Sequence, residues 1–258
     1  MMAASDLLWR HWQEGRRLPS LPEAVRPRSR AEGYAIQALL ESRSARPLYG
    51  WKIAATSVAG QTHIGVDGPL AGRILAERVY ADGATLPFGG NAMRVVEAEF
   101  AFRMGRDLPP RGTPYEAAEV MDAVADLHVA IEIPDSRYED FVTAGAAQLI
   151  ADNACAHDFV LGPKAPESWR GFDLSQHKVK GVVTGKIDRD GIGANVLGDP
   201  RIALTWLANE LSGIGVTLKQ GQVVTTGTCL VPMAVAPGDE VICDFGVLGK
   251  VSLRFADR

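Results

Sequence analysis

Hydrophobic and polar residues alternate in short runs from residue 48 to the end of the chain, and glycine and proline separate these runs. Alternation with a period of two is typical of β-strands, whereas apolar residues three or four positions apart indicate helices. On this basis strands are predicted at 49–54, 95–103, 127–133, 157–161, 178–184, 222–225, 240–244 and 250–255. Helices are predicted at 114–125, 138–154 and 200–212.

The first 47 residues have a helical pattern instead. Leu7, Leu8, His11 and Trp12 are spaced as on one helical face, and a second helix is predicted at 30–44, after a linker that contains prolines. We therefore divide the chain into an N-terminal helical region, 1–47, and a core domain, 48–258. Because the strands of the core do not alternate regularly with helices, the pattern predicts an α+β fold with a mixed or antiparallel sheet and peripheral helices.

The composition and charge exclude several classes of protein. Hydrophobic residues make up 47% of the 258 residues and charged residues 22%, as in a folded globular protein rather than a disordered one. With 27 Lys and Arg against 31 Asp and Glu, the net charge of −4 provides no overall positive field for nucleic acid or for an anionic membrane. Neither nucleic acid nor a membrane is therefore expected as a partner.

The cysteines and the apolar runs bear on the location of the protein. Cys155, Cys229 and Cys243 are widely spaced and odd in number, which favours reduced thiols over a disulfide framework. The N-terminal residues lack the apolar stretch of a secretory signal, and no run approaches the roughly 20 apolar residues of a membrane span. The sequence therefore predicts a cytoplasmic protein.

Carboxylates on two predicted strands are the main candidates for chemistry. Glu97 and Glu99 project from one face of their strand, opposite an apolar face, and Glu132 projects from the polar face of another strand. If the two strands are neighbours, three carboxylates converge, and a set of oxygen ligands favours Mg²⁺, Mn²⁺ or Ca²⁺ over Zn²⁺. The alternative is a ladder of exposed glutamates on a solvated sheet face.

Two further sets of polar residues each have a structural and a functional interpretation. Lys52 is a lone cation in an apolar strand, so it is either one half of a salt bridge or a site lysine. Asp152 and Asn153 end a predicted helix, where capping would account for both residues without any chemistry.

Five short motifs occur together in one order along the chain. They are Gly50-Trp51-Lys52, Glu97-Ala98-Glu99, Glu132-Ile133-Pro134-Asp135-Ser136-Arg137, Ala151-Asp152-Asn153-Ala154 and Thr226-Gly227. In this order the chain resembles the fumarylacetoacetate hydrolase superfamily, and within it the branch of 2-keto-4-pentenoate hydratases and 4-oxalocrotonate decarboxylases. The resemblance covers the chain from about residue 48 to its end, and the N-terminal helical region is also similar to that branch.

The resemblance implies a mixed β-sheet roll of the fumarylacetoacetate hydrolase type with a catalytic domain at 48–258. It further implies Mg²⁺ or Mn²⁺ bound by Glu97, Glu99 and Glu132. The catalytic residues that it implies are Lys52, Asp135 and Asp152. The substrate-binding residues that it implies are Lys52, Arg137, Asn153, Thr226 and Gly227.

The resemblance leaves the reaction open between two branches. The stretch TGTCLVPM at 226–233 resembles the hydratases, and DSRY at 135–138 resembles the decarboxylases. The first expectation is a metal-dependent hydratase of a small unsaturated 2-oxo or 2-hydroxydienoic acid in aromatic catabolism. The alternatives are a 2-oxo acid decarboxylase with the same ion, and a catalytically silent relative that binds a carboxylate or forms a complex with a paired pathway enzyme.

The N-terminal region also leads to an expectation about assembly. Its apolar stripes need a surface to pack against. We therefore expect a homo-oligomer, in which these helices contribute to the interface or close the pocket.

Overall fold

A computed structural model describes residues 1–257, in which two β-sheets form the centre of the protein. The strands of the larger sheet, in order across it, are β2 (Leu70–Ile74), β1 (Gly50–Ala54), β10 (Val223–Thr228), β5 (Val95–Met104), β6 (Val124–Ile133), β7 (Asp158–Lys164) and β3 (Val79–Ala81), with β11 (Met233–Ala234) also paired to β5. Those of the smaller sheet are β4 (Ala84–Leu86), β13 (Lys250–Phe255), β12 (Glu240–Asp244), β8 (Lys178–Val183) and β9 (Ile187–Ile192).

Both sheets are mixed. Strand β1 runs parallel to β10, β3 to β7 and β4 to β13, whereas β5 and β6 at the centre of the larger sheet are antiparallel. The α-helices are α1 (Met2–Glu14), α2 (Arg30–Ala38), α3 (Val58–His63), α4 (Ala117–Asp122), α5 (Ala146–Ala151) and α6 (Pro200–Gly213). The predicted α+β class with a mixed sheet and peripheral helices is confirmed.

The main hydrophobic core lies between the two sheets. The apolar face of β5 is fully buried there, and the ring of Phe100 meets the ring of Phe245, beyond the end of β12, with their centroids 5.2 Å apart. The other face of β5 and β6 is also covered, because Ala101 and Ala130 pack in a second cluster with Phe159. Polar side chains on this second face are therefore enclosed by protein.

Local backbone geometry shortens three of the predicted helices. The helix predicted at 30–44 ends at Ala38, and that predicted at 114–125 spans only Ala117–Asp122 because Glu116 is extended and Val124 begins β6. The helix predicted at 138–154 spans only Ala146–Ala151, since Gly145 before it has φ 80° and the chain near Tyr138 pairs with Leu18 instead. Strands β2, β3, β4, β9 and β11 were not predicted.

The N-terminal helices pack on the rest of the same chain. Leu8 and Leu18 share a buried cluster with Tyr138 and Ala151, and the amide of Gln37 donates to the carbonyl oxygens of Ala71 and Ile150. The apolar stripes of α1 and α2 thus have an intramolecular partner, and the homo-oligomer stays a prediction. Within residues 1–257, no helix has both the length and the apolar character that crossing a membrane would require.

Candidate active site

Three glutamates converge on the second face of the larger sheet. The antiparallel register places Glu97 of β5 directly opposite Glu132 of β6, and Glu99 lies two residues further along the same face. One carboxylate oxygen from each lies within 4.8 Å of the others. Glu99 is 0% exposed and Glu132 is 2% exposed, so they do not form an exposed ladder.

Several oxygens of this cluster have no hydrogen-bond donor. Oε2 of Glu99 accepts from the backbone N–H of Gly227, at 2.7 Å, and from the hydroxyl of Thr225, but its Oε1 accepts from no group in the described chain. Neither oxygen of Glu132 accepts a well-aligned hydrogen bond from the described residues. Buried carboxylate oxygens of this kind are costly unless a cation or a proton compensates them.

Lys52 lies beside the glutamates and is buried. Its Nζ is 3.1 Å from Oε1 of Glu132, an ion-pair distance without good hydrogen-bond alignment, and it donates to the carbonyl oxygen of Ala154 at 3.0 Å. An ammonium group has three N–H donors. With one donor on Ala154 and the charge facing Glu132, Lys52 keeps hydrogen-bonding capacity for a ligand.

A left-handed turn presents the carbonyl group that Lys52 binds. Asn153, Ala154 and Cys155 have φ values of 57°, 49° and 61°, a region that residues other than glycine seldom occupy. The side chain of Asn153 holds the turn against β2, because it accepts from the backbone N–H of Arg73 and donates to its carbonyl oxygen. Backbone strain of this kind persists only where surrounding contacts enforce it.

The pKa values of the cluster reflect burial and mutual repulsion. Burial, together with the charge of Glu132, raises the pKa of Glu97 from 4.5 to about 7. Burial and both neighbouring carboxylates raise the pKa of Glu99 well above its ordinary value. Burial alone would lower the pKa of Lys52, but the carboxylates, Glu132 foremost, outweigh that effect and raise it. Without a cation, the cluster therefore tends to hold protons.

Strand β10 completes the pocket around Glu99. Its pairing with β5 is irregular between Thr225 and Thr228, where Gly227 has φ 102°. A Cβ at position 227 would lie 2.0 Å from the hydroxyl oxygen of Thr56, so both the backbone conformation and the space require glycine. The hydroxyl of Thr226 donates to the carbonyl oxygen of Phe100, away from the glutamates.

Asp152 and Arg137 form a separate buried ion pair. Arg137 bonds to the carboxylate of Asp152 and to the carbonyl oxygens of Asp135 and Ala156, and its guanidinium lies 4.7 Å from the ring centroid of Trp12. The other oxygen of Asp152 accepts from Ser136 at 2.7 Å. Burial raises the pKa of Asp152, and the charge of Arg137 opposes this rise. These contacts hold the left-handed turn in position.

Asp135 fixes the loop that leads into β5. Its carboxylate accepts from the backbone N–H groups of Ala92 and Met93 and pairs with Arg17. The structure thus brings Lys52, the three glutamates and Gly227 together. It places the side chains of Arg137, Asp152, Asn153 and Thr226 in contacts with the protein itself, and their role in substrate binding or catalysis stays a prediction.

A cavity of about 1040 Å³ opens next to Lys52, Glu97 and Gly227. Its wall is mainly apolar and includes helix α3. Cys155 also lies on this wall, and burial raises the pKa of its thiol to about 12, so the thiol is neutral at physiological pH. The arrangement can hold a small acidic molecule with one end at the carboxylates and lysine and the rest against apolar surface.

The sequence patterns did not indicate several residues of this site. Thr225, Thr56 and Arg17 contact Glu99, Gly227 and Asp135 respectively, although each is distant from its partner in the chain. Isolated threonines and arginines carry no spacing signal. Only the alternation within β10 placed Thr225 on a defined face.

Comparisons with known proteins agree with this geometry. Residues 75–256 match the family model described as fumarylacetoacetate (FAA) hydrolase C-terminal. The chain belongs to the fumarylacetoacetate hydrolase family. Over 255 residues it is 33% identical to the 2-keto-4-pentenoate hydratase of Paraburkholderia xenovorans (strain LB400), covering 98% of this chain and 93% of that protein. It is 30% identical over 234 residues to the 2-oxo-hept-4-ene-1,7-dioate hydratase of Escherichia coli, covering 87% and 86%.

Solved structures with a fold similar to that of this protein match it over nearly the whole chain. The 4-oxalocrotonate decarboxylase from Pseudomonas putida G7, complexed with magnesium and adipate, superposes with a TM-score of 0.89 at 26% identity, covering 98% of this chain and 96% of that one. The same decarboxylase complexed with calcium and acetate gives a TM-score of 0.86. These comparisons confirm the predicted family and its fold. They also confirm the prediction of an enzyme, because the similar proteins over nearly the full length include hydro-lyases.

Proposed function

We propose that this fumarylacetoacetate hydrolase family member is a hydratase that uses Mg²⁺ or Mn²⁺ and acts on a small unsaturated 2-oxo or 2-hydroxydienoic acid of aromatic catabolism. The observation that carries the proposal is the cluster of Glu97, Glu99 and Glu132 beside Lys52 at the wall of a cavity. The relatives named as hydratases support the reaction type.

The donor set fits a hard divalent cation. Three carboxylates supply only oxygen atoms, which Mg²⁺ and Mn²⁺ prefer, and the oxygens of Glu99 and Glu132 that lack donors are available as ligands. When bound, such an ion would stabilise negative charge that develops on the 2-oxygen of a 2-oxo acid. Glu97, Glu99 and Glu132 are the residues that would hold it.

Lys52 has the position of a substrate clamp. It is held by Ala154 and Glu132 and also lines the cavity, so its ammonium can meet the carboxylate of an acid bound there. The neighbouring carboxylates, by raising its pKa, keep it charged at neutral pH. We propose that Asp135 and Asp152 support the site from behind, through the 92–93 loop and the left-handed turn.

The hydration itself requires two changes in the substrate. A 2-hydroxydienoate becomes the conjugated 2-oxo acid when its enol proton is lost and a proton is added at the far end of the diene. The elements of water then add across the remaining carbon–carbon double bond to give a 4-hydroxy-2-oxo acid. The mainly apolar wall beside Lys52 and Glu97 offers the carbon chain of the substrate a surface to pack against.

A decarboxylase is the second candidate. The observation that favours it is the TM-score of 0.89 to a 4-oxalocrotonate decarboxylase over almost the whole chain. When an unsaturated 2-oxo diacid loses its distal carboxylate as carbon dioxide, the electrons of the broken bond pass through the conjugated double bond to the 2-oxygen. The product is the same kind of enolate, so the glutamates and Lys52 would serve either reaction. A catalytically silent relative, which only binds a carboxylate or forms a complex with a paired pathway enzyme, would form neither the hydrated acid nor carbon dioxide.

One experiment separates these functions. The purified chain with Mg²⁺ is incubated with 2-hydroxypenta-2,4-dienoate and, separately, with 2-oxohex-3-enedioate, and dienol loss and carbon dioxide release are measured independently. A hydratase consumes the dienoate without releasing carbon dioxide, and a decarboxylase releases it from the diacid. A chelator-treated sample and Glu132→Gln should both be inactive, whereas the exposed Glu139→Gln is the matched control.

Absence of both products with the Mg²⁺-loaded and the Mn²⁺-loaded protein would contradict the proposed function. Static light scattering of the same preparation tests the proposed homo-oligomer, and a monodisperse monomer would contradict it.

A further inference from the structure

The cavity beside the glutamates is larger than a five-carbon acid needs. Its volume of about 1040 Å³ is at the upper end of the roughly 300–1,000 Å³ that pockets for drug-sized ligands occupy. Val58 and Val231 belong to its wall and are 80% and 68% exposed, so the apolar wall continues to the protein surface. A ligand anchored at Lys52 therefore has apolar surface available along a much longer tail.

The charges of the cavity are concentrated at one place. Among the described residues that line it, Lys52 is the only lysine or arginine, and it already faces Glu132. The remaining basic side chain on the wall, His63, is exposed and packs edge-on against Phe141, with their ring centroids 6.2 Å apart. A second carboxylate at the far end of a ligand would thus lack an arginine or lysine partner.

Three of the polar side chains on the wall each donate a hydrogen bond to the protein itself. The hydroxyl of Thr228 donates to the carbonyl oxygen of Leu230 at 2.6 Å. The side-chain amide of Asn195 donates to the carbonyl oxygen of Cys229 at 2.7 Å. That of Gln61 likewise donates to a backbone carbonyl, at 3.1 Å. A carboxylate that leaves water is best compensated by a cation, and among the described residues of this wall Lys52 is the only lysine or arginine.

We propose that the cavity selects 2-oxo acids with a single carboxylate and an extended apolar tail, and discriminates against acids of the same length with a second, terminal carboxylate. This inference rests on the proposed function, because it takes the 2-oxo acid end to bind at Lys52 and the three glutamates. It assigns the specificity to the apolar wall that Val58 and Val231 extend to the surface.

Saturated acids test this preference without any turnover. Binding of 2-oxooctanoate and of 2-oxooctanedioate to the Mg²⁺-loaded full chain is measured by isothermal titration calorimetry, with 2-oxobutanoate as the short reference. The monoacid should bind at least about tenfold more tightly than the diacid, and at least about tenfold more tightly than 2-oxobutanoate, because each buried methylene favours binding. Equal or tighter binding of the diacid, or no effect of chain length, would overturn the proposal.

An arginine substituted for Val58 adds a positive charge to a part of the cavity wall that has no lysine or arginine. Val58→Arg should reduce the discrimination against 2-oxooctanedioate at least threefold, whereas Val58→Met, with a long uncharged side chain, should leave it unchanged. Because Val58 is exposed, both variants should fold. Unchanged discrimination in both Val58→Arg and Val231→Arg would overturn the assignment of the specificity to this wall.

The two proposals can fail separately. If the chain does not hydrate 2-hydroxypenta-2,4-dienoate but prefers 2-oxooctanoate over the diacid, the proposed function fails and the specificity of the cavity stands. If it hydrates the dienoate but binds both eight-carbon acids equally, the hydratase stands and the inference about the cavity fails.

Discussion

Replacing Glu99 with glutamine should change metal binding and stability in opposite directions. In the wild-type chain, carboxylate oxygens of three glutamates lie within 4.8 Å of one another. Two unit charges at that distance repel each other by roughly 3.5 kcal/mol at an effective dielectric constant of about 20. Glu99→Gln removes one of these charges, while the amide oxygen can still accept from Gly227 and Thr225.

The expected gain for the metal-free protein is smaller than the full repulsion. Protonation already relieves part of it, because the pKa of Glu99 is raised well above its ordinary value. A gain of about 1–2 kcal/mol in the free energy of unfolding, roughly 3–6 °C in Tm, is reasonable for a chain of this size. The wild type should instead gain about 2.7 kcal/mol from Mg²⁺ at a hundred times its Kd.

Differential scanning fluorimetry with and without Mg²⁺ measures both effects. Metal-free Glu99→Gln should melt above the metal-free wild type, Mg²⁺ should shift its Tm little, and its turnover should be lost. The control Glu139→Gln, at an exposed position, should behave as the wild type in every condition. If metal-free Glu99→Gln melts below the wild type and Mg²⁺ stabilises it as strongly, the glutamates do not form a repulsive metal site.

Three further predictions concern the same region. Lys52→Met should lower turnover at least about 100-fold, and it should lower the metal-free Tm because it removes the cation beside Glu132. A Mg²⁺ titration of this variant should still show binding, and near wild-type turnover would refute the role of Lys52 as a substrate clamp. The pKa of Glu97 is about 7 in the folded protein against 4.5 ordinarily, so between these pH values the folded state binds a proton that the unfolded state has lost. The free energy of unfolding of the metal-free protein should therefore fall as pH rises from about 4.5 to 7. Urea unfolding at a series of pH values measures this slope, and the opposite slope would contradict the prediction. Arg137→Met should lower the free energy of unfolding by about 3–5 kcal/mol, since it leaves the Asp152 carboxylate buried without its cation, and a loss below about 1 kcal/mol in the same urea experiment would argue against a structural pair.

The sequence by itself determined which side chains share a face of a strand. Side chains alternate along any strand, so Glu97 and Glu99 had to lie together, opposite the apolar residues that form the core. The same periodicity correctly placed Glu132 on the polar face of β6. Local alternation thus predicted the mixed α+β fold and two strands of the site, and the motif order predicted the family.

Helix ends were less predictable, because backbone geometry at a few positions overrides side-chain periodicity. The pattern at 138–154 is compatible with a helix, but the chain near Tyr138 pairs with Leu18, and Asn153–Cys155 turns left-handed. Both features depend on contacts with distant segments, the second through the bonds of Asn153 to Arg73.

Only the tertiary structure decided which residues complete the candidate site. Strand β10 lies between β1 and β5, so the distance from Lys52 to the glutamates depends on an order of strands that no local pattern encodes. The same order brings Thr225 and the N–H of Gly227 to Glu99. Asp152 and Arg137 belong to the same sequence motifs as the predicted site residues, but in the structure they form an ion pair with each other. A buried carboxylate and a buried guanidinium are most stable as such a hydrogen-bonded pair.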